Sequence, residues 1–471
     1  MARSKRSKSN GKNKQMKKFI LLSTIAVLNL TSCTKKQDVV TPNQAPSTFN
    51  VSAKLVESEG NTVTLEWTAA KDPEGANITY DIEIDSKVIA ISLTTLTYTA
   101  TNLAFDKNIT GKITAKDPQN ASVSVPFTVT TKDVNSIVFV GGIYGNLFAI
   151  DAQSGKKRWE FAPTTGIYSS PTVSNGIVYV GSEDKKLYAI DALTGIKKWE
   201  FIAGDNIYST PSTSKGIVFF GCEDKKVYAV DAVTGVKKWE FLTGNSVTSS
   251  PTIVNGTVYI GSEDKKMYAL DESTGAKKWE FLSTGAFFAS PSVVNGIVYV
   301  GNYSTFFYAL DALTGSKKWE FVGEYSSYYT SATVVEGVVY VGNTYPKVYA
   351  LDAITGVKKW VFSTRYTITS SPAVSNGILY IGSNDTNFYA LDATNGNRKW
   401  SFSTGDDLWS SPVVANGIVF FGSYDKRLFA VNALDGSAKW EINLGCKIHS
   451  SPCVLTKSGN VFYSSISGNQ Q

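Results

Sequence analysis

From residue 136 onward, short apolar runs alternate with polar turns at a fixed spacing. Residues 177–216 show the unit, IVYVGSEDKKLYAIDALTGIKKWEFIAGDNIYSTPSTSKG. It holds four β-type segments: IVYVG (177–181), KLYAID (186–191), KKWEF (197–201) and a stretch around STPSTS (209–214). In the third, Trp199 and Phe201 fall on one face and Lys198 and Glu200 on the other, the two-residue period of a half-buried strand. The unit returns with Trp159, Trp199, Trp239, Trp279, Trp319, Trp360, Trp400 and Trp440, at intervals of 40 or 41 residues. Four strands in a repeat of this length make one blade of a β-propeller, whose faces are buried only when neighbours stack around an axis. Eight tryptophan-bearing strands predict eight blades. The first unit, from Ser136, lacks an innermost segment of its own, and HSSPCVL (449–455) supplies a spare one. Pairing the two closes the ring and removes its open edges. VFYSSIS (461–467) is one strand more than eight blades need.

Upstream the pattern changes. Residues 48–132 carry short alternating segments, TVTLEW (62–67), TYDIEID (79–85), TYTATNL (97–103) and SVSVPFTVTT (122–131), with turn clusters such as KDPEG (71–75) between them. This spacing predicts a small β-sandwich with Trp67 in its core. Trp67 in an early strand, the DPEG turn and the late AKDPQNAS segment resemble a fibronectin type III domain, and the resemblance implies a spacer. Residues 34–47, TKKQDVVTPNQAPS, are polar and suit a tether. The expected architecture is therefore all-β, an eight-bladed β-propeller over 136–471 preceded by a small β-sandwich.

Residues 1–32 read as a leader. MKKFILLSTIAVLNLTSC has a basic start, an apolar run too short to span a bilayer comfortably, and then Leu30-Thr31-Ser32-Cys33. That ending resembles a bacterial lipobox, which implies lipidation of Cys33, an anchor at the start of the 33–47 tether, and attachment to the bacterial outer membrane on its periplasmic or surface side. Of the 471 residues, 42% are hydrophobic and 12% aromatic, a composition able to fill substantial cores. The formal charge of +6 comes from the leader: eight of the 46 basic residues lie in 1–32, leaving 38 against 40 acids. No electrostatic case for nucleic acid survives. Beyond Cys33 there are Cys222, Cys446 and Cys453, with no CxxC spacing, so no disulfide framework is expected.

Most recurring polar residues serve turns. Asp151, Asp191, Asp231, Asp271, Asp311, Asp352 and Asp392 open D-A-x-T-G-like turns, where a carboxylate caps backbone N–H groups and the Gly takes a positive φ; Asn432 stands at the eighth. Asn-Gly pairs such as Asn175-Gly176 signal tight hairpins. The string YAIDALTGIKKWEF, followed by SxP, resembles the pyrroloquinoline quinone (PQQ) repeat with its tryptophan-docking motif, and the resemblance extends over eight units. It implies a docking role for the eight tryptophans. Two branches follow: quinoprotein dehydrogenases, and non-catalytic propellers that include the lipoprotein of the outer-membrane β-barrel assembly machinery. A dehydrogenase of this kind needs a cation beside the quinone, held by carboxylate and amide oxygens, and an Asp base. Here the acids are concentrated in repeated turns and His449 is the single histidine, so no catalytic residue, metal or cofactor is expected.

In a four-stranded meander the connections between blades share a face with the turn between the second and third strands. The residue before each SSP-like triplet should stand at that mouth of the channel. These residues are Tyr168, Tyr208, Thr248, Phe288, Tyr329, Thr369, Trp409 and His449, six of them aromatic or His. The fifth inter-blade loop, GEYSSYYTSA (323–332), is one residue longer, adds Tyr325 and Tyr328, and puts Ala332 where the others have Pro. Aromatic rings at a mouth stack on sugars or grip a peptide; equally, they can plug the funnel by packing on one another. If the rings bind, the protein is a monomeric, membrane-anchored platform for an envelope protein or glycan. A PQQ-dependent dehydrogenase and a purely structural envelope component are the competing functions.

Overall fold

The computed structural model describes residues 42–56, 62–101, 103, 107–131, 136–324 and 327–463. All its regular elements are strands. Cys33, Tyr325 and the end of the VFYSSIS segment lie outside the described residues.

Two sheets precede the repeat. One joins Val51–Leu55, Val63–Trp67 and Thr97–Ala100; the other runs Lys87–Leu93, Thr79–Ile84, Asn108–Lys116, Ser122–Thr130. They share one core, in which Val63, Leu65, Ile82 and Ile113 are fully buried and Trp67 lies 5.4 Å from the Tyr80 ring. Alternation explains the arrangement: Val63, Leu65 and Trp67 point inward, while Glu66 stays outside and pairs with Lys54.

The repeat forms seven four-stranded sheets and one five-stranded sheet. Each four-stranded sheet is a consecutive antiparallel meander, as in Thr172–Ser174, Ile177–Gly181, Lys186–Asp191 and Lys197–Ile202. The second and third strands are buried on both faces, and the fourth is the most exposed, with Trp239 buried between exposed Lys238 and Glu240 in the next sheet. At Asn175 and Gly176 φ is 50° and 72°, the two positive values of a type I′ hairpin. In the D-A-x-T-G turn, Asp191 Oδ1 accepts the N–H groups of Leu193 (3.1 Å) and Thr194 (3.0 Å), and Gly195 takes φ 73°.

Each tryptophan joins its sheet to the next. Trp279 Nε1–H donates to the Ala312 carbonyl at 3.0 Å, and its ring lies against Gly315, where an added Cβ would sit 2.7 Å from ring carbon. The same contact recurs from Trp159 to Ala192 and finally from Trp440 back to Ala152, across 288 residues. The five-stranded sheet completes the circle. Cys453–Leu455 pairs antiparallel with Ile137–Phe139, joining the end of the chain to the first unit, and Val461–Tyr463 adds a further strand beside it. The extra segment therefore has a place: Tyr463 O–H donates to the Val173 carbonyl at 2.5 Å and its side chain borders the axial cavity.

A second closed circle runs around the axis. The backbone N–H of Ser170 donates to Thr210 Oγ1, Thr210 to Ser250 Oγ, Ser250 to Ser290, and Ser290 to Ser331. The series continues through Ser371, Ser411 and Ser451, whose N–H returns to Ser170 Oγ at 2.9 Å. Just before this circle, Ser169 Oγ accepts the N–H of Gly181 within its own sheet at 2.9 Å. The second hydroxyl of each S-S-P-like motif thus bonds between sheets, while the first, where present, accepts an N–H within its own sheet, as Ser209 does from Gly221.

Replacing Trp279 with Ala removes an indole that fills one inter-sheet gap and satisfies one carbonyl, and should lower stability by about 3–5 kcal/mol in urea unfolding. Gly315→Ala, which forces a Cβ against the same ring at positive φ, should cost about 1–3 kcal/mol. Unchanged midpoints in both variants would show that the docking contact does not hold the sheets together.

Candidate binding site at one mouth of the ring

The connection entering each sheet is stapled to that sheet's own middle turn. Glu183 N–H donates to the Gly166 carbonyl, Glu223 to Asn206, Glu263 to Ser246, Tyr303 to Ala286 and Tyr424 to Asp407, at 2.8–3.2 Å. These bonds bring two residues per sheet to one mouth. One is the residue before the S-S-P triplet; the other is the residue two places after the glycine that ends the second strand. Sequence reasoning named the first set and missed the second. The signal was present in the register of the SEDKK turns, where Tyr303 and Tyr424 stand in place of Glu183, Glu223 and Glu263.

The aromatic residues form two arcs. In one, Trp409 stacks on Tyr424 (centroids 5.9 Å, 10° between planes) and lies 5.3 Å from His449. His449 is 5.2 Å from Tyr168, which meets Tyr208 edge-on at 5.3 Å and Tyr144 at 6.4 Å. The second arc is a triangle of Phe288, Tyr303 and Tyr329, with centroids 5.3–5.5 Å apart. Thr248 and Thr369 separate the arcs, bonded to Glu263 (3.4 Å) and Asn384 (3.0 Å). Tyr328 does not belong to this group. It is fully buried, 5.5 Å from Phe307, because it occupies the inward position held by Ile207, Val247 and Phe287 in other sheets. Alternation turns neighbouring residues to opposite sides, so Tyr328 points into the core and Tyr329 to the mouth.

Between the arcs lies an acidic sector. Glu183 accepts the Tyr208 hydroxyl at 3.0 Å, and Glu223 accepts Asn206 Nδ2 at 3.1 Å. The partners of Glu183, Glu223 and Glu263 are neutral hydroxyls or amides, whereas Glu200 and Glu240 on the outer strands are each held by two lysines. Burial raises the Glu223 carboxyl, aided by Asp205 and Glu183; burial and Glu223 raise Glu263. Burial, Tyr144 and Glu183 push the Tyr168 phenol up to about 12. Across the mouth, Asp407 is raised by burial and Asp406, and Trp409 draws it back.

Burial pushes the His449 imidazole down to about 4, so it is neutral at neutral pH, with Nδ1 3.0 Å from the Tyr424 hydroxyl. The arrangement offers ring faces, neutral hydrogen-bonding groups and three carboxylates. The described cysteines, Cys222, Cys446 and Cys453, are free thiols, and burial raises each. Among the described residues no three His, Cys, Asp or Glu side chains converge to hold a metal ion, and no helix is long and apolar enough to cross a membrane.

The ring of meandering sheets stapled by indoles defines a tryptophan-docked β-propeller. Its family model, described as "Outer membrane protein assembly factor BamB", matches residues 110–243, 223–361 and 330–469, and the chain belongs to that family. Among curated proteins, none matches. Among solved structures, the chain is similar to BamB from Moraxella catarrhalis, with 20% identity and a TM-score of 0.52, covering 70% of this chain and 92% of that one. It is also similar to the computationally designed Ika8 protein (19%, TM-score 0.56, covering 66% and 93%). A europium-containing methanol dehydrogenase aligns with 17% identity and a TM-score of 0.58, covering 64% and 83%. At these identities the likeness concerns the fold alone.

A histidine whose folded value lies below its unfolded value takes up fewer protons folded than unfolded between about pH 4 and 6.5. Its contribution to stability is therefore present above pH 6.5 and is lost as pH falls toward 4. The thermal midpoint should drop over this window, and His449→Phe should shrink the drop. An identical pH dependence in the variant would place the titration elsewhere.

Proposed function

We propose that the protein is a membrane-anchored, non-catalytic binding or scaffold lipoprotein of the bacterial envelope. In this reading its eight sheets are the blades of one propeller, lipidated Cys33 is the anchor, and the fibronectin type III-like unit of 48–132 is a spacer. A protein or glycan is held at the loop face. The observation that carries the reading is the mouth itself, where two aromatic arcs flank carboxylates with only neutral partners. Partly exposed rings beside carboxylates suit a chain segment or sugar that supplies apolar faces and hydrogen-bond donors. Membership in a family described as an outer membrane assembly factor supports the location and a protein partner.

A second reading, a PQQ-dependent dehydrogenase, draws on the fold shared with the methanol dehydrogenase. The donor set does not fit it. A quinone with its cation needs converging carboxylate and amide oxygens, and among the described residues no three His, Cys, Asp or Glu side chains, the mouth glutamates included, converge closely enough to hold a metal ion.

Trp409→Ala combined with Tyr329→Ala removes one anchor from each arc. Capture of an envelope protein from native membranes, or of a glycan on an array, should weaken at least about tenfold while the thermal midpoint stays near that of the parent. Equal capture by parent and variant would remove the mouth as the site. Dye-linked alcohol oxidation after reconstitution with PQQ and Ca²⁺ would establish the dehydrogenase reading instead.

A further inference from the structure

The face opposite the mouth is formed by the D-A-x-T-G turns, each bonded to the hairpin beside it, as Ala192 N–H is to the Gly176 carbonyl at 2.9 Å. The third residue of this turn faces solvent. In five sheets it is apolar: Leu193, Val233, Leu313, Ile354 and Leu434 are 70–86% exposed. In three of these the residue after the glycine is a second exposed apolar group, Ile196, Val236 or Val357. Folding has no use for these side chains. The turn is held by its Asp cap, and the polar Gln153, Ser273 and Thr394 fill the same place in turns capped the same way. One repeated contact, the docked tryptophan against the turn glycine, sets every turn at the same height, so the tips lie in one plane rather than around a groove.

Two lysines follow four of the five tips. Behind Leu193 they are Lys197 and Lys198, which pair with Glu200 (2.7 Å) and Asp191 (3.1 Å) but stay nearly half exposed. An ammonium with one partner keeps further N–H groups free to donate. Behind Ile354 the repeat's glutamate is replaced by Val361, and Lys358 pairs with no carboxylate among the described residues. In six of the eight sheets the turn and the start of its outer strand carry one Asp against at least two Lys or Arg, so this face is cationic as well as apolar. The mouth, in contrast, gathers Glu183, Glu223 and Glu263. We propose that the turn face docks on an anionic phospholipid bilayer, with the apolar tips entering the boundary between headgroups and acyl chains and the lysines meeting phosphates. A curved protein partner would touch neighbouring tips only, whereas a plane meets them all. Docked this way, the ring holds its mouth away from the membrane, open to a partner. That orientation rests on the anchored reading above; the docking itself needs no acyl chain.

The test uses residues 34–471, which keep every described residue and carry no acyl chain, so its outcome is independent of whether Cys33 is lipidated. Vesicles of phosphatidylglycerol and phosphatidylethanolamine should carry the protein down on sedimentation; raised salt should release it, and phosphatidylcholine vesicles should retain little. Leu193→Ser, Val233→Ser, Leu313→Ser and Ile354→Ser together should weaken vesicle binding at least about tenfold, with the thermal midpoint unchanged. Ile202→Ser, Leu242→Ser and Leu282→Ser remove similarly exposed apolar groups from the far end of the outer strand, and this variant should bind as the parent does. No sedimentation of the parent, equal binding by the tip variant, or an equal loss in the outer-strand variant would each overturn the proposal. So would a parent dimer that the tip variant dissolves in light scattering, since the tips would then cover a second copy of the chain.

Discussion

One indole, one glycine and one carbonyl set the geometry on which the rest depends. A single meander exposes both faces, and the docked tryptophan covers one of them while spending its N–H on a carbonyl of the neighbouring sheet. The glycine is required because the ring lies where a Cβ would be. Repeated around the axis, this contact fixes the angle between sheets, and the last copy reaches back from Trp440 to Ala152. Closure removes the sheet edges that an open array would leave for aggregation.

A frame held at its outer rim and along its axis leaves the connecting loops to differ. The turns around D-A-x-T-G are nearly identical from sheet to sheet because the same Asp-capped geometry supports each docked tryptophan. On the opposite side backbone hydrogen bonds and a recurring turn carboxylate, as from Gly204 N–H to Asp224, hold each loop to its turn, so the residues beside them that face the mouth can change without disturbing the frame. That is where Trp409, Tyr424, Phe288, Tyr303 and Tyr329 are found. It is also where Glu183, Glu223 and Glu263 lie beside one another bonded to neutral groups, in a chain that pairs most of its outer-strand glutamates with lysines. Burying carboxylates near one another opposes folding, and sites that bear such a cost are candidates for binding.

The single elongated loop shows how narrow the margin for sequence reasoning was. Tyr328 and Tyr329 are neighbours of identical type, yet one is core and the other stands at the mouth. The second set of mouth residues was equally visible as letters. It could be assigned only once the middle turn was seen bonded to the incoming connection.

The sequence by itself determined the strands, the turn types and the docking tryptophans, because these follow from local rules. Alternation sets which face a residue takes, Asn-Gly and Thr-Gly set the positive φ values, and a constant period of 40 or 41 residues reports one unit repeated. Tertiary structure alone decided which loops share a mouth, how Glu183, Glu223 and Glu263 come to neighbour one another, and that Tyr463 meets Val173. It also decided that eight serine and threonine hydroxyls meet around one axis. Those features join residues about 40 to more than 280 positions apart, as from Ser170 to Thr210 and from Ser451 to Ser170. Such contacts exist only after the ring has closed, and no local preference encodes them.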